Sequence, residues 1–367
     1  MACDAIQLAV PGVQGLHPYQ AGKPIEELER ELGISESIKL ASNENPLGPS
    51  QLALDAVQGS LSELTLYPDA MGYRLKQKLS AVYGLSAEQL TLGNGSNDLL
   101  DMIARVFLNP GDEVIYSAHA FIVYKLVSQA INAKAVEIPA KDYAHDLEAM
   151  AAAASANTKL IFLANPNNPT GTAFTAAQLH RFMAAVAPTT LVVLDEAYTE
   201  YVDDDSLPDG LKLLADYPNL IVTRTFSKAW GLAGLRVGFA AASPEITDLL
   251  NRLRQPFNVN IPALVAAEAV LDDTEYLSRS VEVNRAGLQQ LYTGLDQLGV
   301  SYIESYGNFI AVEFKSDALP IYDALLRRGV IVRPVGIYAM PNHLRVSIGT
   351  EAENRRFLET LAEVLAG

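Results

Sequence analysis

One cysteine, Cys3, is all that 367 residues contain. An intrachain disulfide is therefore impossible, and so is a cysteine-built zinc cluster; no metal site is expected. Cations are also in short supply, with 27 Lys and Arg against 43 Asp and Glu and a net charge of −16. That balance argues against nucleic acid, whose phosphates demand a basic stripe, and against a polybasic membrane anchor. No apolar run approaches the roughly 18 residues of a membrane span. The opening MACDAIQLAVPGVQ lacks the basic start and long apolar stretch of a signal peptide. The expected setting is the cytoplasm, with small molecules as partners.

What the chain does have is core material: 49% of its residues are apolar and 19% charged. Short β-branched runs alternate with helical spacing through the middle. Residues 113–117 (EVIYS), 135–138 (AVEI), 159–164 (KLIFLA), 191–195 (LVVLD), 220–224 (LIVTR) and 238–242 (GFAAA) read as strands. Their apolarity is continuous rather than alternating, the mark of strands covered on both faces. The fold class is α/β: a large domain with a mostly parallel, seven-stranded type of sheet between helices, expected over residues 46–265. A long helical pattern over 273–298 opens a smaller α+β domain over 266–367. It continues with strands at 308–314, 331–333 and 343–348 and a closing helix over 353–365. Residues 1–45 show no core of their own and should pack on the small domain or on a partner subunit.

Ligands of open α/β sheets sit beyond the carboxyl ends of the strands, and four segments fall there. Residues 92–98 (LGNGSND) precede a helix, so backbone N–H groups and the helix N-terminus can face an anion. A plain N-cap by Ser96 or Asn97 reads equally well. Residues 165–171 (NPNNPTG) hold two X-Pro bonds and a Gly, a rigid turn with room for one cis bond; Asn168 then becomes a fixed amide donor, or the turn is only structural. Asp195 ends a buried strand and needs a cation or donors to offset desolvation, with Tyr198 three residues on; an N-cap Asp is the competing reading. Lys228 follows another strand, with Ser227 before it and Arg236 beyond. A lysine shielded from water loses proton affinity and becomes an amine nucleophile, and an arginine offers a fork for phosphate oxygens.

One molecule answers all four. Pyridoxal 5′-phosphate carries a phosphate, an aldehyde, a phenolic oxygen and a ring nitrogen that must stay protonated. The chain offers a cradle, a lysine, a Tyr with an Asn, and a carboxylate.

The stretches NPNNPTG, DEAY and SKAWGLAGLRVG together resemble the fold type I, pyridoxal-phosphate-dependent aminotransferases, over essentially the whole chain. Within that group the likeness is to the histidinol-phosphate aminotransferases. It rests on residues 43–50 (NENPLGPS), 67–69 (YPD), 93–96 (GNGS) and 344–350 (LRVSIGT). The resemblance implies that Lys228 joins the cofactor aldehyde and then shuttles a proton. Asp195 would pair with the ring nitrogen, and Tyr198 and Asn168 with the ring oxygen. Gly95, Ser96, Thr225, Ser227 and Arg236 would take the phosphate. Phe121 stands where many relatives stack a tyrosine on the ring, so stacking survives but a hydroxyl contact does not. Tyr67 resembles a tyrosine that reaches the phosphate from a neighbouring subunit, implying a homodimer with shared sites.

For the substrate, Arg345 resembles the carboxylate-binding arginine general to the fold, in a geometry suited to two parallel hydrogen bonds. A second cation, Arg333, suits a phosphate, unless it is an ordinary surface or salt-bridging arginine. Tyr19 resembles a lid tyrosine that adds a phosphate hydrogen bond, and Asn43 belongs to the same substrate-side set. These imply histidinol phosphate as amine donor and 2-oxoglutarate as acceptor. An aromatic amino-acid aminotransferase and, more remotely, a lyase like the phosphothreonine decarboxylases are the competing readings.

Overall fold

Seven short apolar runs line up as one sheet in the computed structural model, which describes residues 3–18 and 22–367. In spatial order the strands are Leu90–Gly93, Gly238–Ala241, Leu220–Thr225, Leu191–Asp195, Thr158–Ala164, Glu113–Ser117 and Lys134–Ile138. The last five pair in parallel, and Gly238–Ala241 runs antiparallel to both neighbours. Alternate residues of one strand enter different cores, since successive side chains leave a sheet on opposite faces. Ile161 and Leu163 join the core built with helices Leu147–Ala153, Ala176–Ala185 and Ile261–Val270. Leu160 and Phe162 join the one built with Ser96–Phe107, Ile122–Ala130 and Pro244–Leu253. That two-sided burial is why the strands read as unbroken apolar runs.

The sequence marks the strand Leu90–Gly93 only by its end before the glycine loop. It is short, and its partner lies far along the chain. The first core also continues through Ala263 to Leu271, so the large unit keeps its hydrophobic packing up to the start of the 25-residue helix Thr274–Leu298.

That helix packs with Leu319–Arg327 and Glu351–Ala366 on an antiparallel sheet ordered Arg333–Pro334, His343–Ser347, Phe309–Glu313, Ser301–Ile303. Leu291, Leu295, Ile310, Val346 and Phe357 fill the core between them. The run at 331–333 is not one strand. Val330–Ile331 pairs in parallel with Ile38–Lys39, whereas Arg333–Pro334 pairs with His343–Ser347. The break between them places Arg333 directly opposite Arg345.

The first 45 residues divide their contacts. Leu28 and Ala41 pack on Ile331. Further back, helix Pro11–Gln14 lies against helix Ile122–Ala130 so closely that a Cβ on Gly12 would sit 2.0 Å from the Gln129 carbonyl oxygen.

Candidate active site

Five strand ends meet at one edge of the large sheet. Ala164 is in register with Asp195, and Gly238 with both Thr225 and Gly93. The loops leaving them, together with residues 41–43 and the sheet carrying Arg333 and Arg345, enclose a cleft of about 910 Å³ counting its open mouth.

At the floor, Asp195 is buried. Its Oδ2 accepts from the Tyr124 hydroxyl at 2.8 Å and its Oδ1 from Thr223 at 3.0 Å. Burial pushes its proton affinity up, and the Tyr124, Thr223 and Ala197 N–H donors pull it back. All three donors are neutral, so this buried carboxylate has room for a cation from the cleft. Tyr198, three residues on, accepts two amide N–H bonds, from Asn43 at 2.9 Å and Asn168 at 3.1 Å. Burial raises its pKa to about 12, although Arg345 and Asn43 act against that. Asn168 sits in the 165–171 turn, where both Asn165–Pro166 and Asn168–Pro169 are cis.

Lys228 is partly exposed to the cleft, and its Nζ donates to the Ser42 carbonyl at 3.1 Å. Desolvation, with the Arg345 guanidinium next in weight, lowers its pKa to about 7. Such an amine gives up its proton far more readily than a lysine in water.

The glycine loop is a cradle rather than a side-chain cap. Gly95 is the N-cap of helix Ser96–Phe107 with no side-chain bond, so the first-turn N–H groups point outward. Asp98 instead accepts from the Asn94 N–H at 2.8 Å and from Asn258 at 3.0 Å. Arg236 stands across the loop and donates to Ser227 Oγ at 3.2 Å, while the Ser227 N–H donates to Thr225 Oγ1 at 3.1 Å. A Cβ on Gly95 would lie 2.4 Å from Arg236 Nη2, and Gly95 has φ +83°. Only glycine leaves this gap open.

The opposite wall carries the two arginines. Arg345 Nη1 donates to Asn168 Oδ1 at 2.6 Å and Nη2 to the Ala41 carbonyl at 2.8 Å. Among the described residues its buried Nε has no acceptor, a donor in want of a ligand atom. Arg333 is 9% exposed and lines the same cleft, which is not the environment of a surface arginine.

These features fit pyridoxal phosphate. An anion cradle, an amine of low proton affinity, a phenol and a carboxylate held by neutral donors face one space.

A family model described as aminotransferase class I and II matches residues 35–361. The chain belongs to that family. This aminotransferase is similar to histidinol-phosphate aminotransferase 2 of Pseudomonas aeruginosa, 57% identical over 99% of both chains. It is similar also to histidinol-phosphate aminotransferase 1 of Mannheimia succiniciproducens, 56% identical over 98% of both. Among solved structures, a histidinol-phosphate aminotransferase from Sinorhizobium meliloti, in complex with pyridoxal-5′-phosphate, is 32% identical with a TM-score of 0.90, over 97% of each chain. The fold is that of the type I aminotransferases.

Of the site residues expected in this aminotransferase, most line the cleft. Phe121 does so edge-on to Tyr124, with ring centroids 5.8 Å apart. Tyr67 does not. It is 80% exposed and stacked on Phe257 at 4.6 Å, outside the chain's own cleft. Asn43 also lines the cleft, but it is 1% exposed and its amide is bonded to Tyr198. Tyr19 lies outside the described residues. Sequence reasoning missed Tyr124, Thr223 and the carbonyls of Ala41 and Ser42. Thr223 shares a strand face with Thr225, and that two-residue spacing could have found it. Tyr124 resembles any helical core aromatic.

Proposed function

We propose that the chain transfers the amino group of L-histidinol phosphate to 2-oxoglutarate, giving imidazole-acetol phosphate and L-glutamate in histidine biosynthesis, with pyridoxal 5′-phosphate as cofactor. The observation that carries this reading is the cross-strand pair Arg333 and Arg345, two buried guanidinium groups on the wall facing Lys228. A phosphate of nearly two charges suits two cations, and a dicarboxylate can use the same forks. Identity of 56–57% to histidinol-phosphate aminotransferases over nearly full length supports the same substrate.

Pyridoxal phosphate supplies the aldehyde that receives the amino group and a protonated ring that draws electrons from the substrate α-carbon. The rest falls to side chains. The Gly95–Ser96 helix terminus and Arg236, with Thr225 and Ser227, would hold the phosphate. Asp195 would keep the proton on the ring nitrogen, and Phe121 would pack on the ring. Tyr198 and Asn168 would donate to the ring oxygen. Lys228 would hold the cofactor through its amine and, with that amine free, would move the proton at the substrate α-carbon. Arg345 and Arg333 orient the substrate's anionic group.

Tyr67, exposed together with Leu64, Leu66, Met71 and Tyr73, supports a homodimer in which it enters the partner's cleft. Separate hydrophobic cores support division into a large and a small domain, with the boundary near residue 265–272. Among the described residues no helix is long and apolar enough to cross a membrane; a cytoplasmic setting goes with the biosynthetic role.

A panel of amine donors with 2-oxoglutarate tests the substrate. Histidinol phosphate should be turned over at least about a hundredfold more efficiently than phenylalanine or tyrosine, as expected when charged groups lose their partner. Efficient use of the aromatic amino acids with indifference to histidinol phosphate would make the chain an aromatic aminotransferase.

Two further results are expected. Gly95→Ala should weaken cofactor binding about ten- to a hundredfold, because its methyl displaces the Arg236 fork and strains the backbone; titration of the apo-enzyme by fluorescence measures it. Cofactor capture by apo-enzyme should quicken as pH rises through about 7 and level off by about 8, as Lys228 loses its proton. A stopped-flow rate still climbing toward pH 10 would show a lysine of ordinary proton affinity.

A further inference from the structure

The resemblance puts Asn43 on the substrate side, yet both ends of its amide are engaged elsewhere. Ser347 Oγ accepts from the Asn43 backbone N–H at 2.8 Å, so its hydrogen is left for Asn43 Oδ1 at 3.0 Å. That fixes the orientation of the amide, with Nδ2 as the end that meets Tyr198. The residue is 1% exposed and holds φ +55°, a left-handed conformation that asparagine tolerates better than most. Backbone and side chain are thus both shaped to this one placement.

The consequence lies at the phenol. A tyrosine hydroxyl has two acceptor positions and one hydrogen. Asn43 and Asn168 occupy the acceptor positions from two separate parts of the chain, the 41–43 segment and the 165–171 turn. The hydrogen is left to point away from both amides, and Tyr198 lines the cleft.

We propose that Asn43 is a positioning residue, which holds the Tyr198 hydroxyl as a hydrogen-bond donor into the cleft, toward the ring oxygen of the cofactor. This rests on the pyridoxal phosphate reading above. A phenol that accepts two N–H bonds is a stronger donor, because hydrogen bonds in a chain polarise one another. A stronger donor favours the anionic form of the ring oxygen, and with it loss of the proton shared at the Lys228 attachment. Removing the Asn43 donor therefore raises the pH at which that proton leaves. The other charged and titratable groups around Tyr198 are Lys228, Asp195, Arg345, Tyr124, Tyr201 and Tyr338. Changing Asn43 alters none of these groups chemically.

The test is the visible absorbance of substrate-free holoenzyme titrated with pH, for native enzyme, Asn43→Ala, Asn43→Asp and Ser347→Ala. In Asn43→Ala the spectral midpoint should rise by about 0.5–1 pH unit, the scale of one hydrogen bond. Asn43→Asp should shift it further, since a carboxylate takes the Tyr198 hydrogen for itself; aspartate also tolerates the left-handed backbone, so this variant keeps the test alive if the alanine form folds poorly. Ser347→Ala, which frees the amide to rotate, should shift the midpoint in the same direction by less. Unchanged midpoints in all three variants, with KM for the amine donor raised in Asn43→Ala, would overturn the proposal and leave Asn43 a substrate-binding residue. A native enzyme that shows no cofactor band at any pH would overturn the cofactor reading itself, and the proposal with it.

Discussion

Lys228→Ala should lower turnover about a million-fold, the scale seen when an enzyme loses its nucleophile. Two tasks disappear together: the resting bond to the cofactor and the amine that moves the α-proton. The phosphate contacts are separate. Arg236, Ser227 and the Gly95–Ser96 terminus remain, so the variant should still bind cofactor, non-covalently. Lys228→Arg should be nearly as inactive, because a guanidinium stays protonated at every accessible pH. Steady-state rates at saturating donor measure the loss. Turnover within tenfold of native in Lys228→Ala would remove this lysine from the chemistry.

Asp195→Asn should cost about a thousandfold in turnover, some 4 kcal/mol of transition-state stabilisation. The substitution conserves shape, and the carbonyl end can still accept from Tyr124 or Thr223. The negative charge is lost, and with it the means of keeping the ring nitrogen protonated in a buried site. A cofactor analogue methylated on that nitrogen carries a fixed positive charge and should restore part of the rate to Asp195→Asn while doing little for native enzyme. A loss below tenfold, or no rescue, would mean that the carboxylate only caps its strand.

Much of the site was legible because its residues stand at strand ends, where a polar side chain interrupts an apolar run. Asp195 after LVVL and Lys228 after LIVTRTFS are such interruptions, and burial forces each into a partnership. The large sheet was legible for the reason that makes it stable: both faces are covered, so composition alone marks the strands. Other parts had no local signal. Tyr124 looks like a core aromatic because its ring stacks on Phe162 at 4.6 Å, and only its hydroxyl reaches Asp195. The 41–43 segment contributes two backbone carbonyls, which every residue type provides. The orientation of Asn43 depends on Ser347, 304 positions away. The break after Ile331 arises from a parallel pairing with Ile38–Lys39, a partner nearly 300 residues upstream. Long-range pairing of this kind leaves no periodicity in either segment.

Borohydride reduction of holoenzyme, followed by proteolysis and mass spectrometry, tests the covalent role of Lys228 most directly. The mass of a pyridoxyl group should appear on the peptide that carries Lys228 and on no other, and should be absent from Lys228→Ala. A label on a different lysine, or active holoenzyme that acquires none, would contradict it.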